Sequence, residues 1–268
     1  MDLSPTKSTY KMQTCKIAKV LDENYRIKTF EFSASVNAKP GQFLMLWIPH
    51  VGERPMSIGS ANPLSLTVAN VGKVSSALHN SKEGDLISFR GPIGNGFSIP
   101  KNAKNILLVG GGYGVVPLAF LAKVAKEQGV KSTAIIGARK KEDIIYAKNF
   151  ENLGSEVLVT TDDGNMGLKG NALDGVKHLI EQKGKTFDAI YSCGPEKMMY
   201  YLAKYCVEKN IPCEVSIERY MKCGINICGA CAVDGKLACR DGPIFSAKEA
   251  LKFKDFGSCM RDASGKKC

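Results

Sequence analysis

The chain lacks any long apolar run. Of its 268 residues 44% are hydrophobic, yet no stretch approaches the roughly 18 uninterrupted apolar residues that would span a bilayer. The start, from Met1 to Lys7, also lacks the basic-then-apolar pattern of a signal peptide. We therefore expect a cytoplasmic protein without a membrane segment. The composition excludes a disordered or fibrous chain, and there is no internal repeat or low-complexity segment.

Basic clusters with interleaved aromatic residues are also missing. The formal net charge is +11, but the densest groups, residues 139–141 and 266–267, are short and have none of the aromatic side chains that stack on single-stranded nucleic acid. A scattered basic surface suits dinucleotide phosphates or an acidic protein partner. We therefore expect no binding to nucleic acid.

Cysteine, by contrast, is plentiful. In a chain without an export signal, ten cysteines indicate metal ligation and reduced thiols, because a reducing compartment keeps disulfides open. Four of them follow the pattern Cys-x4-Cys-x2-Cys-x7-Cys: Cys223, Cys228, Cys231 and Cys239. A second group has no such spacing and is interpreted as spare thiols, either buried or in the tail: Cys15, Cys206, Cys213, Cys259 and Cys268.

The spacing of the four cysteines is typical of a plant-type [2Fe-2S] cluster. Three thiolates on one glycine-containing loop and a fourth downstream can converge on two irons, and Gly224 and Gly229 allow the chain to bend around them. Zinc is the alternative, since four cysteines can also give tetrahedral coordination. Zinc sites usually contain two separated Cys-x2-Cys pairs, and only Cys228 and Cys231 have that spacing. The pattern therefore favours iron–sulfur and predicts electron transfer.

The pattern of predicted strands and helices divides the chain into three parts. Short alternating stretches separated by turns predict a small β-barrel over residues 1–100. Strands alternate with helices over residues 101–217, which predicts a doubly wound parallel sheet. Residues 218–268 are rich in loops and too short to fold by apolar burial alone, so a cluster is expected to hold them together. The predicted fold class is a multidomain β plus α/β protein.

Glycines between a strand and a helix predict a nucleotide site in the second part. Gly110, Gly111 and Gly112 lie where a pyrophosphate could meet backbone amides. The match to Gly-x-Gly-x-x-Gly is imperfect, because Val115 stands where a glycine is needed, and a tight turn is the alternative. Residues 193–195 follow a later strand, where ligands of open α/β sheets bind. A buried structural thiol is the alternative at that position.

Three features of the barrel part could also contact a nucleotide. Arg54 offers a planar fork for phosphate and Ser57 a hydroxyl group. Residues 72–75 precede a helix-compatible segment whose first amides could meet another phosphate. Residues 91–96 form a glycine-rich turn, and its simplest interpretation is a linker between domains.

The chain resembles the ferredoxin-NADP reductase superfamily over almost its whole length. The motifs that carry the resemblance are, in order, residues 54–57, 91–96, 110–112 and 193–195. With the four cysteines followed by residues 240–245, the chain resembles the electron transfer subunits of class 1B dihydroorotate dehydrogenase. The resemblance implies an N-terminal barrel that binds FAD and a middle domain that binds NAD. It also implies a C-terminal [2Fe-2S] domain that faces a separate, FMN-containing catalytic subunit.

The resemblance also assigns individual residues. It implies FAD contacts for Arg54, Pro55, Met56, Ser57, Thr67, Val68, Ala69, Val74 and Ser75. It places Gly110, Gly111, Gly112, Cys193 and Gly194 beside the nicotinamide nucleotide, and makes Cys223, Cys228, Cys231 and Cys239 the cluster ligands. No residue is assigned a catalytic acid, base or nucleophile. The chain departs from the common pattern at Met56, Ala69 and Val74, and in the short spacing before Cys239.

The implied function is electron transfer for pyrimidine (UMP) biosynthesis. Electrons from dihydroorotate oxidation on the partner's FMN would pass through the cluster and FAD to NAD⁺, in a heterotetramer with two copies of each subunit. The closest alternative is a subunit of an NAD(P)H–ferredoxin oxidoreductase, a hydrogenase or a sulfide dehydrogenase. The complete cysteine set and the tail at residues 255–257 and 261–265 favour the dihydroorotate system. From a different class, the chain could be a redox sensor or a zinc-stapled scaffold.

A cluster can pass electrons to a second subunit only from a contact surface. We therefore expect that the partner partly covers four residues beside Cys223, namely Met221, Lys222, Ile225 and Ile227. The alternative is that Ile225 and Ile227 pack beneath the cluster.

Overall fold

The computed structural model describes residues 10–259 and residue 266. A barrel is followed by a sheet flanked by helices and then by a segment that contains the four patterned cysteines. The tail motif expected at residues 261–265 lies outside the described residues. Among those described, no helix combines the length and apolar character needed to cross a membrane.

The barrel confirms the first part of the predicted fold class. Six antiparallel strands close in the order β1-β2-β5-β4-β3-β6. Alternation along each strand turns one set of side chains inward, and Phe30, Leu46 and Phe89 are fully buried there. The elements are β1 (Gln13–Asn24), β2 (Ile27–Phe32), β3 (Phe43–Ile48), β4 (Gly52–Ala61), β5 (Leu64–Ala69), α1 (Lys73–His79) and β6 (Leu86–Ile93).

The second part is a seven-stranded sheet in the order β10-β9-β8-β7-β11-β12-β15. Its neighbours run parallel except for β15, which pairs antiparallel with β12. The strands are β7 (Asn105–Gly111), β8 (Lys131–Ala138), β9 (Glu156–Thr161), β10 (Leu168–Lys169), β11 (Ala189–Cys193), β12 (Cys213–Ser216), β13 (Ala232–Val233), β14 (Lys236–Leu237) and β15 (Ile244–Ser246). Strands β13 and β14 form a separate hairpin.

Helices flank this sheet because its central strands are apolar on both faces, as residues 106–109 show by being fully buried. The helices are α2 (Val115–Glu127), α3 (Ala147–Asn152), α4 (Ala172–Lys177), α5 (Glu196–Glu208) and α6 (Ala247–Ala250). Helix α2 follows the carboxyl end of β7 and helix α5 follows that of β11. Both helices therefore begin at the edge where doubly wound sheets bind ligands.

The cysteine segment, residues 218–251, has only a small core of its own. Met221, Cys231 and Ala238 pack against Phe43 and Met45 on the outside of the barrel. Because this cluster is small, the segment depends on docking to the rest of the chain for its shape.

The glycine-rich turn at residues 91–96 is one of the anchors for this segment. Asn95 Nδ2 donates hydrogen bonds to the carbonyl oxygens of Asp241, at 3.1 Å, and Ile244, at 2.8 Å. Asn95 Oδ1 accepts the backbone N–H of Ile244 at 2.9 Å. At Gly94, which has a φ of +79°, a Cβ atom would lie 2.6 Å from Pro243 Cδ. The simple linker interpretation is therefore incomplete, because the turn also holds the cysteine segment.

A buried ion pair forms another anchor. Arg219, 4% exposed, donates to both carboxylate oxygens of Glu196 at 2.5 and 3.2 Å. Glu196 begins α5 and also accepts the backbone N–H of Gly257 at 2.8 Å. One carboxylate thus joins the α/β part to both sides of the cysteine segment, and bidentate pairing fixes the direction of approach.

The predicted boundaries at 100/101 and 217/218 stay a prediction. Strand β6 ends at Ile93 and β7 begins at Asn105, while β15, from beyond residue 217, hydrogen-bonds into the central sheet.

We predict that Asn95→Ala loosens the cysteine segment. The substitution removes three hydrogen bonds to the backbone of residues 241–244, so it should lower the free energy of unfolding by about 1–3 kcal/mol. Denaturant unfolding followed by fluorescence would measure the change. Asn102→Ala, at an exposed position in the next turn, is the control. Equal unfolding free energies for the two variants would contradict the anchoring role.

Candidate redox site

The four patterned cysteines lie in two pairs. Cys231 and Cys239 are buried, and their sulfurs are 3.3 Å apart. Cys223 Sγ accepts the backbone N–H groups of Ile225 and Cys228, each at 3.4 Å, which places Cys228 beside it. Backbone amides thus turn inward toward a sulfur, as the sequence predicted for a cluster loop.

The loop bends because three residues adopt left-handed backbone conformations. Gly224, Asn226 and Gly229 have φ values of +59°, +68° and +70°, and such values favour glycine and asparagine over other residues. A Cβ atom at Gly224 would also lie 3.0 Å from Met45 Cγ. The loop therefore turns sharply while its backbone lies against the barrel.

The environment favours the thiolate form at two of the four positions. The hydrogen bond between Cys231 and Cys239 lowers the pKa of Cys231 to about 6 and raises the pKa of Cys239 well above its usual value. Burial raises the pKa of Cys223, but the backbone N–H groups of Ile225 and Cys228 help to outweigh it and lower that pKa to about 7. Since thiolates are the ligating form, these shifts favour ligation at one cysteine of each pair.

The paired arrangement of the cysteines fits a two-iron cluster. In residues 10–259, no three histidine, cysteine or acidic side chains come together closely enough to hold one metal ion. Tetrahedral zinc would need all four sulfurs within about 4 Å of one another. Two cysteine pairs match two irons that each take two thiolates. The pairing of these donors therefore fits the cluster that the spacing predicts, and the assignment of the four ligands stays a prediction.

The residues beside Cys223 differ in exposure. Met221 is 5% exposed and packs in the small core, so the expectation that a partner covers it is wrong. Lys222 is exposed, Ile225 is partly buried, and Ile227 is 79% exposed. The expected contact with a partner at Lys222, Ile225 and Ile227 stays a prediction.

The residues predicted to contact FAD lie on β4, β5 and α1. On β4, Arg54 and Ser57 are exposed, while Pro55 and Met56 are partly buried. The Arg54 guanidinium lies 5.2 Å from the ring centroid of Tyr220, which precedes Cys223 by three residues. The Arg54 side chain therefore extends from the predicted flavin strand to the segment that carries the cysteine loop.

The other predicted flavin residues expose less of their side chains. Val68, Ala69 and Val74 are buried, so they could contact a flavin chiefly through their backbone. The Thr67 hydroxyl already bonds to Tyr146 Oη at 2.8 Å. Ser75 Oγ accepts the backbone N–H of residue 72 at 2.9 Å and so closes the first turn of α1. These residues shape the edge of the barrel, and their contact with FAD stays a prediction.

The glycines predicted to lie beside the nicotinamide join two loops. Cys193 pairs with Gly110 in the sheet. A Cβ atom at Gly111 would lie 2.6 Å from Pro195 Cδ, and one at Gly194 would lie 2.8 Å from the backbone nitrogen of Gly111. Gly112 has a φ of +54°, and a Cβ atom there would meet open space. The structure thus brings all five predicted residues together, and Gly112 is the one whose backbone faces an opening.

The same edge of the sheet carries Tyr113 and Glu218, two residues that the sequence analysis did not single out. Tyr113 is 45% exposed, and the Glu218 carboxylate, followed by burial, raises its pKa. Burial raises the pKa of Cys193 to about 12, so its thiol stays neutral. The only sequence signal for Tyr113 and Glu218 was their proximity to motifs, Tyr113 inside the glycine loop and Glu218 before the cysteines.

Strand β4 connects the three predicted sites. At one end, the Arg54 guanidinium lies over the ring of Tyr220, in the cysteine segment. At the other, a Cβ atom on Gly59 would lie 2.9 Å from Val116 Cγ1, so α2 packs directly against the strand just after the glycine loop. Arg54 and Gly59 are five residue steps apart along the strand, about 17 Å. The sequence contained no signal for the contact at Gly59.

Comparisons with known proteins agree with this arrangement. Residues 218–251 match the iron-sulfur cluster binding domain of dihydroorotate dehydrogenase B. Residues 108–204 match the oxidoreductase NAD-binding domain. A solved structure of NADH-dependent reduced ferredoxin-NADP oxidoreductase is 34% identical, with a TM-score of 0.79 and 88% of each chain covered. The ferredoxin reductase of carbazole 1,9a-dioxygenase, at 20% identity and a TM-score of 0.66, shares the fold.

Two curated relatives cover nearly the whole chain. Both are named probable dihydroorotate dehydrogenase B (NAD(+)), electron transfer subunit. The protein of Methanocaldococcus jannaschii is 42% identical, with 94% of this chain and 96% of the relative covered. That of Pyrococcus furiosus is 41% identical, with 90% and 92% covered. The paired cysteines, the glycine loop and this similarity along its length show that the chain belongs to the family of dihydroorotate dehydrogenase B electron transfer subunits.

Proposed function

We propose that this chain carries electrons from a dihydroorotate-oxidising catalytic subunit to NAD⁺, by way of a [2Fe-2S] cluster and FAD, in pyrimidine biosynthesis. The observation that carries the proposal is the position of β4, which contacts the cysteine segment at Arg54, over the ring of Tyr220, and contacts helix α2 at Gly59. A strand that touches both neighbouring sites can place a flavin between them.

When bound, the flavin would exchange a hydride with nicotinamide and single electrons with the cluster. The chain's own residues would bind and orient these groups. Arg54 offers a guanidinium fork for a pyrophosphate, and the backbone at Gly112 leaves room for the nicotinamide nucleotide. The paired cysteines would hold the irons, and the neutral thiol of Cys193 would border the nicotinamide without adding a charge.

The partner would carry the substrate chemistry. We infer a catalytic subunit that contains FMN and associates as a heterotetramer with two copies of each chain. The exposed Ile227 and Lys222 would lie at the contact, next to Cys228, which is also exposed. An assembly of this kind would be cytoplasmic.

A ferredoxin-linked role is the second candidate. It is favoured by the similarity to the NADH-dependent reduced ferredoxin-NADP oxidoreductase structure, which extends over 88% of this chain. Purification of the native complex and identification of its other subunit would separate the two candidates. A flavoprotein that oxidises dihydroorotate supports the first, and a ferredoxin-reducing subunit supports the second.

Cys228→Ser tests the electron path. We expect this change to lower the iron content and to slow dihydroorotate-dependent NAD⁺ reduction about tenfold or more, because a serine hydroxyl is a poor substitute for a thiolate ligand. FAD should remain bound, since its predicted residues lie on the barrel. Iron analysis, the visible spectrum and coupled turnover of the reconstituted complex measure these effects.

Cys259→Ser is the matched control, because residue 259 lies outside the four-cysteine pattern. Full iron content and unchanged coupled turnover in the Cys228→Ser protein would refute the ligand assignment.

Arg54→Ala tests the flavin site. Loss of a charge-assisted contact to a pyrophosphate should weaken FAD binding by about 1.5–3 kcal/mol, roughly tenfold to a hundredfold. Titration of FAD into flavin-free protein measures the affinity. Arg240→Ala, which removes an exposed arginine paired with Asp241, should leave the affinity unchanged. Equal FAD affinities in the wild-type, Arg54→Ala and Arg240→Ala proteins would show that Arg54 does not contact FAD.

Ile227→Asp tests the contact surface. Burying an unpaired carboxylate at an interface should weaken association with the catalytic subunit roughly tenfold to a hundredfold. NADH oxidation by an artificial acceptor should persist, because the flavin site is elsewhere. Tyr201→Asp, on α5 and 57% exposed, is the control. Unchanged association of the Ile227→Asp protein would show that the electron exit lies on another surface.

A further inference from the structure

The Arg90 side chain joins the cysteine loop to strand β4. Arg90 lies on β6, and its side chain is 12% exposed. Its Nε and Nη2 atoms donate to the two carboxylate oxygens of Glu53, each at 2.7 Å. Nη2 also donates to the backbone carbonyl oxygen of Cys223 at 2.5 Å. One guanidinium therefore contacts the flavin strand and the first cluster ligand together.

The barrel register explains why these groups meet. Strand β3 lies between β4 and β6, with Met45 opposite Arg90 and Trp47 opposite Glu53. Arg90 and Glu53 are thus two strands apart, about 10 Å between backbones, and only long side chains span that distance. The planar fork of arginine can satisfy a bidentate carboxylate and still donate to a carbonyl group, which lysine cannot do.

We propose that Arg90 is a positioning residue for electron transfer, which holds the Cys223 peptide against β4 and so fixes the cluster loop relative to the flavin strand. This inference rests on the proposed function. Its physical basis is that Cys223 begins the loop and Gly224 follows with a left-handed φ of +59°. Fixing the Cys223 carbonyl group therefore fixes the point at which the loop leaves the barrel surface.

The same contact places the positive end of an ion pair at the backbone of Cys223, one of the residues that would hold the cluster. Glu53 offsets the charge of Arg90, so the pair would act on a bound cluster as a dipole with its cationic end at Cys223. Cluster reduction adds negative charge, and nearby charges and hydrogen bonds set the potential. Removing Arg90 alone would leave the Glu53 carboxylate unpaired near the cluster and disfavour reduction.

The test uses the full chain with its cofactors and three readouts: iron content, the midpoint potential of the cluster, and amide hydrogen exchange over residues 224–228. The variants are Arg90→Gln, Arg90→Lys, Glu53→Gln and the double variant Arg90→Gln/Glu53→Gln. Arg240→Gln is the matched control, because Arg240 adjoins the ligand Cys239 but pairs with Asp241 within its own segment.

Each variant has a distinct expected result. Arg90→Gln should retain iron, speed amide exchange about tenfold, and disfavour cluster reduction about tenfold, which is 59 mV for one electron. Arg90→Lys should leave the midpoint potential of the cluster close to the wild-type value, because it retains the positive charge. It should lose the protection from amide exchange, because lysine lacks the planar guanidinium. The double variant should recover the potential while exchange stays fast, because no carboxylate is left unpaired.

Glu53→Gln keeps the Arg90 bond to Cys223, so its amide exchange should stay slow and its potential should rise. If Arg90→Gln fails to fold, the Glu53→Gln variant still tests the proposal through its amide exchange and its midpoint potential. Unchanged exchange and potential in Arg90→Gln would overturn the proposal, as would equal shifts in Arg240→Gln or loop release in Glu53→Gln alone. Failure of the proposed function would look different: the native complex would then contain a ferredoxin-reducing subunit in place of one that oxidises dihydroorotate, or the wild-type chain would lack flavin and iron–sulfur bands in its visible spectrum.

Discussion

Close packing of helix α2 against strand β4 is the constraint on which the arrangement of sites depends. The approach is possible because Gly59 has no side chain, since a Cβ atom there would lie 2.9 Å from Val116 Cγ1. A side chain at this position would therefore force Val116 or its helix to shift. With this distance fixed, the glycine loop at the start of α2 is held at one end of β4, and the cysteine segment docks at the other. The barrel is therefore the common frame for both neighbours.

The cysteine segment shows how a short stretch can be precise without a large core. Its own apolar cluster is small, and Val233, Phe245 and Ala250 pack into the core of the central sheet. Hydrogen bonds from Asn95, the buried pair of Arg219 with Glu196, and the Arg90 fork also hold the segment in place. Each contact ends on a backbone group or a fully paired carboxylate, so little buried polar surface is left without a partner. Such an arrangement restrains the loop before any metal binds.

Much of the fold could be predicted from the sequence, because its signals are local. Alternation along strands, the change to alternating strands and helices near residue 105, and the spacing of four cysteines all follow from short-range geometry. The roles of Arg90, Glu53 and Gly59 could not be predicted in this way. Their contacts cross strands that are far apart in sequence, so they depend on how the barrel closes and on its register. Met221 shows the related difficulty for loops, where no period tells a buried apolar residue from an exposed one.

Strand β15 has a consequence for how the chain could be divided. It belongs to the cysteine segment in sequence, yet it pairs antiparallel with β12 and covers that edge of the central sheet. A chain cut after residue 217 would leave β12 with a row of unpaired backbone groups, which is a template for pairing with other chains. The segment that carries the cysteines therefore also shields the nucleotide domain from self-association, and the two regions should be inherited and expressed as one unit.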